Sequence, residues 1–343
     1  MSGKREVRIA SIGGGTGLSC LLSGLKNLSL RPTPTLARSL ELNRQNIHAI
    51  VTVSDDGGSS GRLRRELNVL PPGDLRNCLV ALAKDELLMT RLFRYRFQGS
   101  GNLQGHSFGN LFLTALSDIT GDLLHALELT SEVLAIQGKI HPATTQIVQL
   151  CAELEGGKLV RGETRISKSS FPIRRVFLDP ANCLAVPAAL AAIADADVLT
   201  FGPGSLFTSV IPCLLVPGIL EAVRSAPALK IFISNIMTQP GETTGMTASQ
   251  HIRAFLDHAP GCPLDAIVLN RSVFSRRSLA KYRKENSRPV VIDRPALKQF
   301  GARLVQRNFA REANFVRHDP DRLARAVLEL CCSVHKIAGR KHH

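Results

Sequence analysis

The chain has no tryptophan, only two tyrosines, and 5% aromatic residues among its 343 positions. Base-stacking RNA modules need aromatic side chains on a sheet, and no helix-turn-helix or zinc-finger spacing is present either. A sequence-specific nucleic-acid protein is therefore not expected. The eight cysteines form no CxxC pair and recur at no fixed spacing. Cys20, Cys78, Cys151, Cys213 and Cys331 sit in apolar runs, and Cys331–Cys332 fall in a helical pattern. That excludes a disulfide framework and leaves reduced, buried thiols, as in a cytoplasmic protein. Long apolar runs are missing too. The best, 184–199, is broken by Asp195 and Asp197, short of the ~20 residues a membrane helix needs. The apolar stretch near the start is too short for a signal-peptide core. His106 beside Ser107 has nothing nearby in sequence to orient a catalytic triad, so a hydrolase is not expected.

Positive charge is plentiful and sits at one end. Lys and Arg number 43 against 28 Asp and Glu, a net +15. Residues 271–343 hold 18 of the basic and 6 of the acidic residues, so most of the excess lies in the last fifth of the chain. Such a surface attracts polyanions weakly and without sequence preference. It suits an acidic protein partner equally well. With 44% hydrophobic and 21% charged residues, the body is globular.

Apolar β-branched segments at 7–12 (VRIASI), 46–53 (NIHAIVTV), 198–201, 230–234, 266–269 and 290–292 alternate with helical patterns. The helices are expected near 16–28, 74–84, 86–97, 110–116, 123–135, 185–194 and 319–332, the last capped by Asp319 with Pro320 at its first position. The alternation predicts a parallel α/β sheet. At 156–173, alternating residues with turn formers predict a small β-rich insert of short antiparallel strands. The expectation is one elaborated Rossmann-like unit over 1–335, its insert near 156–175, followed by a basic tail at 336–343.

Polar, turn-forming clusters follow four of these strands. The first is IGGGTGLS at 12–19: Gly13, Gly14, Gly15 and Gly17 let backbone approach a ligand, and the helix start behind them presents free N–H groups. Thr16 and Ser19 add hydroxyls. Leu18 stands where a G-x-G-x-x-G fingerprint needs its third glycine, and no Lys follows as in a P-loop. The second cluster is SDDGGSSG at 54–61, with Asp55 and Asp56 at the end of a strand. Either aspartate is a candidate for a ribose or sugar hydroxyl or for Mg²⁺, the other for capping the turn. The glycines and serines after them read as a mobile loop, with Arg62 in reach of a phosphate. In PPGDLRNC at 71–78, Asp74 reads first as a helix N-cap and second as a catalytic base, with Asn77 in the first turn. The last two clusters after strands are GPGSLFTS at 202–209, with Gly202, Gly204 and Ser205 as a second anion nest, and SNIMTQPGET at 234–243, with Asn235 and Thr238. Ligands of α/β sheets bind outside the carboxyl ends of strands, so these clusters predict one site. Tyr282 and Arg317, in the basic region, are candidates for its far wall; a dinucleotide such as NAD is left open as an occupant.

IGGGTGLS, VTVSDDGGSSGRLRRE, LPPGDLRNCLVALA, GHSFGNLFL, GPGSLFTSVIP and NIMTQPGET together resemble the bacterial gluconeogenesis factors, a branch of the CofD-like superfamily, over about 8–330. The resemblance implies a Rossmann-like, CofD-like fold with a nucleotide-diphosphate site. It implies binding of a UDP-sugar, notably UDP-N-acetylglucosamine, and a regulatory link between carbon metabolism and cell envelope and shape. The related branch transfers phospholactate from a guanosine-diphospho donor with Mg²⁺, which makes a transferase the alternative, with Asp55, Asp56 and Asp74 as candidate catalytic residues. By the same resemblance, phosphates fall to Gly13–Gly17 and Gly202–Ser205, and helix-start contacts to Asp74 and Asn77. Phe207 departs from the tyrosine expected there. Acidic partners and a homo-oligomer complete the expectations.

Overall fold

In a computed structural model of the chain, residues 5–34, 40–84 and 87–339 are described. The apolar segments pair into one seven-stranded sheet: β1 (Ile9–Gly13), β2 (Ile47–Val51), β3 (Lys139–Pro142), β4 (Val198–Phe201), β5 (Leu229–Ile233), β6 (Ala266–Asn270) and β7 (Arg303–Arg307). Their order is β3-β2-β1-β4-β5-β6-β7, every pair parallel. All residues of β1 and β4 are buried, as strands covered on both faces must be. The chain leaves β1 toward β2 on one side and returns at β4 on the other. The crevice for a ligand is therefore between β1 and β4.

The helix after β1, α1 (Gly15–Leu30), turns Leu18, Leu21, Leu22, Leu25 and Leu28 inward. It packs on α3 (Gly73–Leu82) and on the closing helix Pro320–Gly339. Asp319 caps that closing helix as its sequence predicts, accepting from Arg322 N at 3.0 Å. A second, smaller core joins Ile236, Met237, Phe274 and Val316 with Leu279, Tyr282 and Ala310. It seats the helix Arg276–Lys284 and the hairpin Ala310–Glu312/Val316–His318 beside the end of β5.

Several sequence expectations shift. Residues 290–292 form no strand; Pro289 opens the segment, which makes a single bridge to Met237. The seventh strand is instead β7, RLVQR, an edge strand in which only Val305 is buried and whose charged ends mask its period. The stretch at 57–61 is not a mobile loop. Gly58–Leu67 (α2) is helical, with Ser59, Ser60 and Gly61 buried. The insert is a small antiparallel sheet as expected, with Leu159–Arg161 inside the expected stretch, Gln149–Leu154 before it and Ile173–Asp179 running on from its end, around a short helix Glu163–Ile166. The closing helix takes in 336–339, part of the expected tail; 340–343 lie outside the described residues. Among the described residues no disulfide forms. Among the described residues no single helix is long and apolar enough to cross a membrane.

The contact between α1 and the closing helix is tight at Gly24. A Cβ there would lie 2.0 Å from the Pro320 carbonyl oxygen, and backbone cannot swing aside. Alanine's helix-propensity gain of about 1 kcal/mol is outweighed by overpacking of about 1–3 kcal/mol. Gly24→Ala is expected to lower the urea midpoint without changing the slope of the transition.

Candidate functional site

The cleft is made by two glycine loops that touch. Gly14, at the cap position of α1, has no side chain to cap with, so the first N–H groups of the helix face the crevice. Gly15 holds φ +65°, and a Cβ on Gly17 would lie 2.5 Å from the Pro203 carbonyl oxygen. Only glycine lets the second loop lie on the first turn of α1 in this way. The second loop leaves β4 through a cis Gly202–Pro203 bond. Between them opens a cleft of about 200 Å³, lined by Gly14, Gly15, Thr16, Gly17, Gly204, Ser205 and Asn235. Its far wall holds Tyr282 and Arg317, both far away in sequence. The Tyr282 hydroxyl is held by the backbone of Val316, accepting from its N–H at 2.8 Å, so the ring faces the cleft in a fixed pose. Arg317 is exposed beside it.

Other expected residues fall elsewhere. Gly13 and Gly202 lie behind the loops: Gly13 O accepts from Thr52 N, and Gly202 N donates to Ile12 O. Ser19 donates to Gly15 O at 2.9 Å and does not line the cleft. Thr238 is buried and accepts from Arg288 N at 3.0 Å, joining two loops. Arg62 points to the carbonyls of Asn102 and Gln104, away from any phosphate in the cleft. Asn77 accepts from Arg76 at 2.6 Å. In each case a nearer backbone or side-chain partner satisfies the polar group. The sequence reading missed Gln239, which donates to Ser205 Oγ at 2.6 Å and accepts from Asn235 Nδ2 at 2.9 Å, knitting both clusters together. It missed Cys20 and His318 as well, neighbours through a thiol-to-carbonyl bond of 3.0 Å. Burial lowers the His318 imidazole to about 4, so it is neutral.

Behind the first glycine loop lies a group of buried carboxyls. Asp74 is not the cap of α3; Pro72 holds that position. Its side chain faces the N–H of Gly15 instead, so close that a Cβ on Gly14 would be 2.3 Å from Oδ2. Burial, and then the neighbouring Asp55, raise Asp74 to about 7. Burial raises Asp55 too, although Oδ1 accepts from Gly57 N at 2.8 Å. Asp56 turns the other way, as adjacent residues of extended chain do. It accepts from Thr164 N and Oγ1 at 2.8 and 2.7 Å, tying the insert to this turn. Both bonds end on Oδ1. Two further acids were not read from the sequence. Glu163 is raised by burial and by Asp55, Asp74, Glu242 and Asp56. Glu242 is raised to about 7 by burial, against hydrogen bonds from Ser167, Thr208 and the N–H groups of Phe207 and Thr208. Arg76, buried among them, is lowered to about 10, chiefly by burial.

Among the described residues no group of three or more His, Cys, Asp or Glu is arranged to hold a metal. Mg²⁺ on a nucleotide needs only one or two carboxylates plus phosphate oxygens. Asp55 and Asp74, both raised first by burial and Asp74 then by Asp55, are a donor set that a cation would relieve. His106 does reach a serine, Ser59 at 3.0 Å, but both are buried and neither lines the cleft; the pair fastens α2 to the 106–107 turn.

Comparison with known proteins agrees with this fold. Residues 9–310 match the family 2-phospho-L-lactate transferase CofD. The gluconeogenesis factor of Bacillus subtilis is 44% identical over 95% of this chain and 98% of its own length. A relative from Nostoc sp. is 49% identical over 99% of this chain and 70% of its own. The crystal structure of a UPF0052 family protein from Bacillus halodurans superposes with a TM-score of 0.87 at 44% identity, covering 94% of this chain and 99% of that one.

The raised Glu242 has a consequence for stability. Its folded value lies above the unfolded 4.5, so folding carries no penalty from it below 4.5 and a growing one as pH rises to about 7. From pH 6 to pH 8 this term costs the fold about 1 kcal/mol. Denaturant titrations at the two pH values are expected to show that difference between the parent chain and Glu242→Gln.

Proposed function

Since the chain belongs to the gluconeogenesis factor family, within the wider CofD family, we propose that its cleft binds a nucleotide-diphosphate sugar, a UDP-sugar such as UDP-N-acetylglucosamine. In this reading the protein is a cytoplasmic regulator that links carbon metabolism under gluconeogenic growth to envelope synthesis and cell shape. The observation that carries it is the meeting of two glycine loops at the start of α1, opposite Arg317. The N–H groups of Thr16 and Gly17 and the backbone at Gly204–Ser205 suit the two phosphates. The guanidinium of Arg317 closes on them from the other wall. The linked amides of Asn235 and Gln239 offer donors and acceptors to base or sugar, and the Tyr282 ring a flat surface. The basic helix Arg276–Lys284 flanks this mouth and draws anions toward it; an acidic protein partner would dock there.

The second reading is a Mg²⁺-dependent transferase, favoured by the Asp55 and Asp74 carboxyls behind the phosphate loop. Those two would hold the ion, which would supply charge neutralisation to diphosphate oxygens. Asp74 itself holds the Gly15 N–H and, near neutrality, carries a proton for part of the time.

Calorimetry with UDP-N-acetylglucosamine is expected to show one site per chain. Arg317→Ala is expected to weaken it about tenfold, the loss of one charge-assisted hydrogen bond. No heat at millimolar ligand would overturn the proposal. Nucleotide-diphospho donors are expected to stay intact with Mg²⁺ across a panel of acceptors. Turnover abolished by Asp74→Asn would instead establish the transferase.

A further inference from the structure

Across the 235–246 segment from the glycine cleft lies a larger groove, of about 920 Å³. Pockets of roughly 300–1,000 Å³ hold metabolite-sized ligands. One wall is the arm that carries Lys168 and Phe171, and the other carries Met246 and Arg253, with Glu242 between them. Three features of this groove await a partner. The Phe171 ring is 54% exposed in a concave place. The ammonium of Lys168 has no ion pair among the described residues, whereas Arg174 is held by Glu153 and Arg253 lies over Phe300. Glu242 is buried, with Oε1 engaged by the Ser167 and Thr208 hydroxyls and Oε2 without a hydrogen bond of good geometry. A buried polar atom left unpaired is costly, and a ligand that completes it recovers that cost.

We infer that this groove is a second ligand site, for a small amphipathic anion: an apolar body against Phe171 and Met246, an acidic group on Lys168, and a hydrogen-bond donor for Glu242. It is separate from the nucleotide cleft. The Ser205–Gln239 hydrogen bond forms part of the partition, with Ser205 and Gln239 lining the cleft and Phe207 and Pro240 lining the groove. A ligand in the groove therefore bears on the wall of the cleft without entering it.

The probe 8-anilinonaphthalene-1-sulfonate carries all three elements: fused rings, a sulfonate and an N–H. Titrated into the full chain, it is expected to show one saturable site with a rise in fluorescence. Phe171→Ala and Lys168→Glu should each weaken it about tenfold. Both side chains are at the surface, so circular dichroism and Tm should stay unchanged, and the distant exposed Lys84→Glu should bind the probe as the parent does. Saturating UDP-N-acetylglucosamine should not displace it. Unsaturable fluorescence, affinity untouched by both groove variants, or competitive displacement by the nucleotide would overturn the inference. The probe reads the groove whether or not the cleft takes a nucleotide, so the two proposals fail separately.

Discussion

The free N–H groups at the start of α1 are the constraint on which the site depends. A helix cannot satisfy its first donors internally, and Gly14 brings no side chain to do so. Something must face them. The Asp74 carboxyl takes the Gly15 N–H, and the rest open on the cleft. The same glycines that leave the donors bare also admit the backbone of Pro203 and Gly204 to within contact of the helix. One sequence feature thus creates the anion site and positions its second half.

Burial then governs the acids around it. Asp55, Asp74, Glu163 and Glu242 are all pushed upward, first by desolvation, and all but Glu242 also by a neighbouring carboxylate. Two of them stand near neutrality, where small changes in their surroundings change their charge. Such tuning marks functional sites more often than structural ones. Here the acids run from behind the phosphate loop to the groove on the other side of the 235–246 segment, so the two cavities share an electrostatic environment while remaining separate spaces.

Much of the sheet was legible in the sequence because its strands are short apolar runs buried on both faces. β7 was not, since an edge strand with arginines at both ends has one buried residue to betray it. The glycine loops were legible because a strand, a glycine run and a helix leave little else to form. Their partners were harder. Asp74 looked like a cap because it opens a helix, but its reach to Gly15 depends on two helices lying side by side. Thr238 and Arg62 looked like ligand groups, and tertiary neighbours claimed them. Glu163 and Glu242 lie in an insert helix and a turn whose spacing in sequence says nothing of their meeting. The resemblance to a family supplied the kind of ligand, which residue spacing alone did not.

The first helix of the sheet and the last helix of the chain lie against each other, and the far wall of the cleft comes from Tyr282 and residues 316–318. Contacts between such distant parts of a chain form late, because the loop between them must close first. During synthesis, the glycine loops emerge long before the residues that complete their pocket. A chain that stops short of Tyr282 would have most of the sheet strands but neither the cleft wall nor the helix that covers α1. Apolar residues of α1 would then be left uncovered, a signal that proteolysis acts on. The packing of α1 against residues 320–339 thus makes this late segment a condition for both binding and survival.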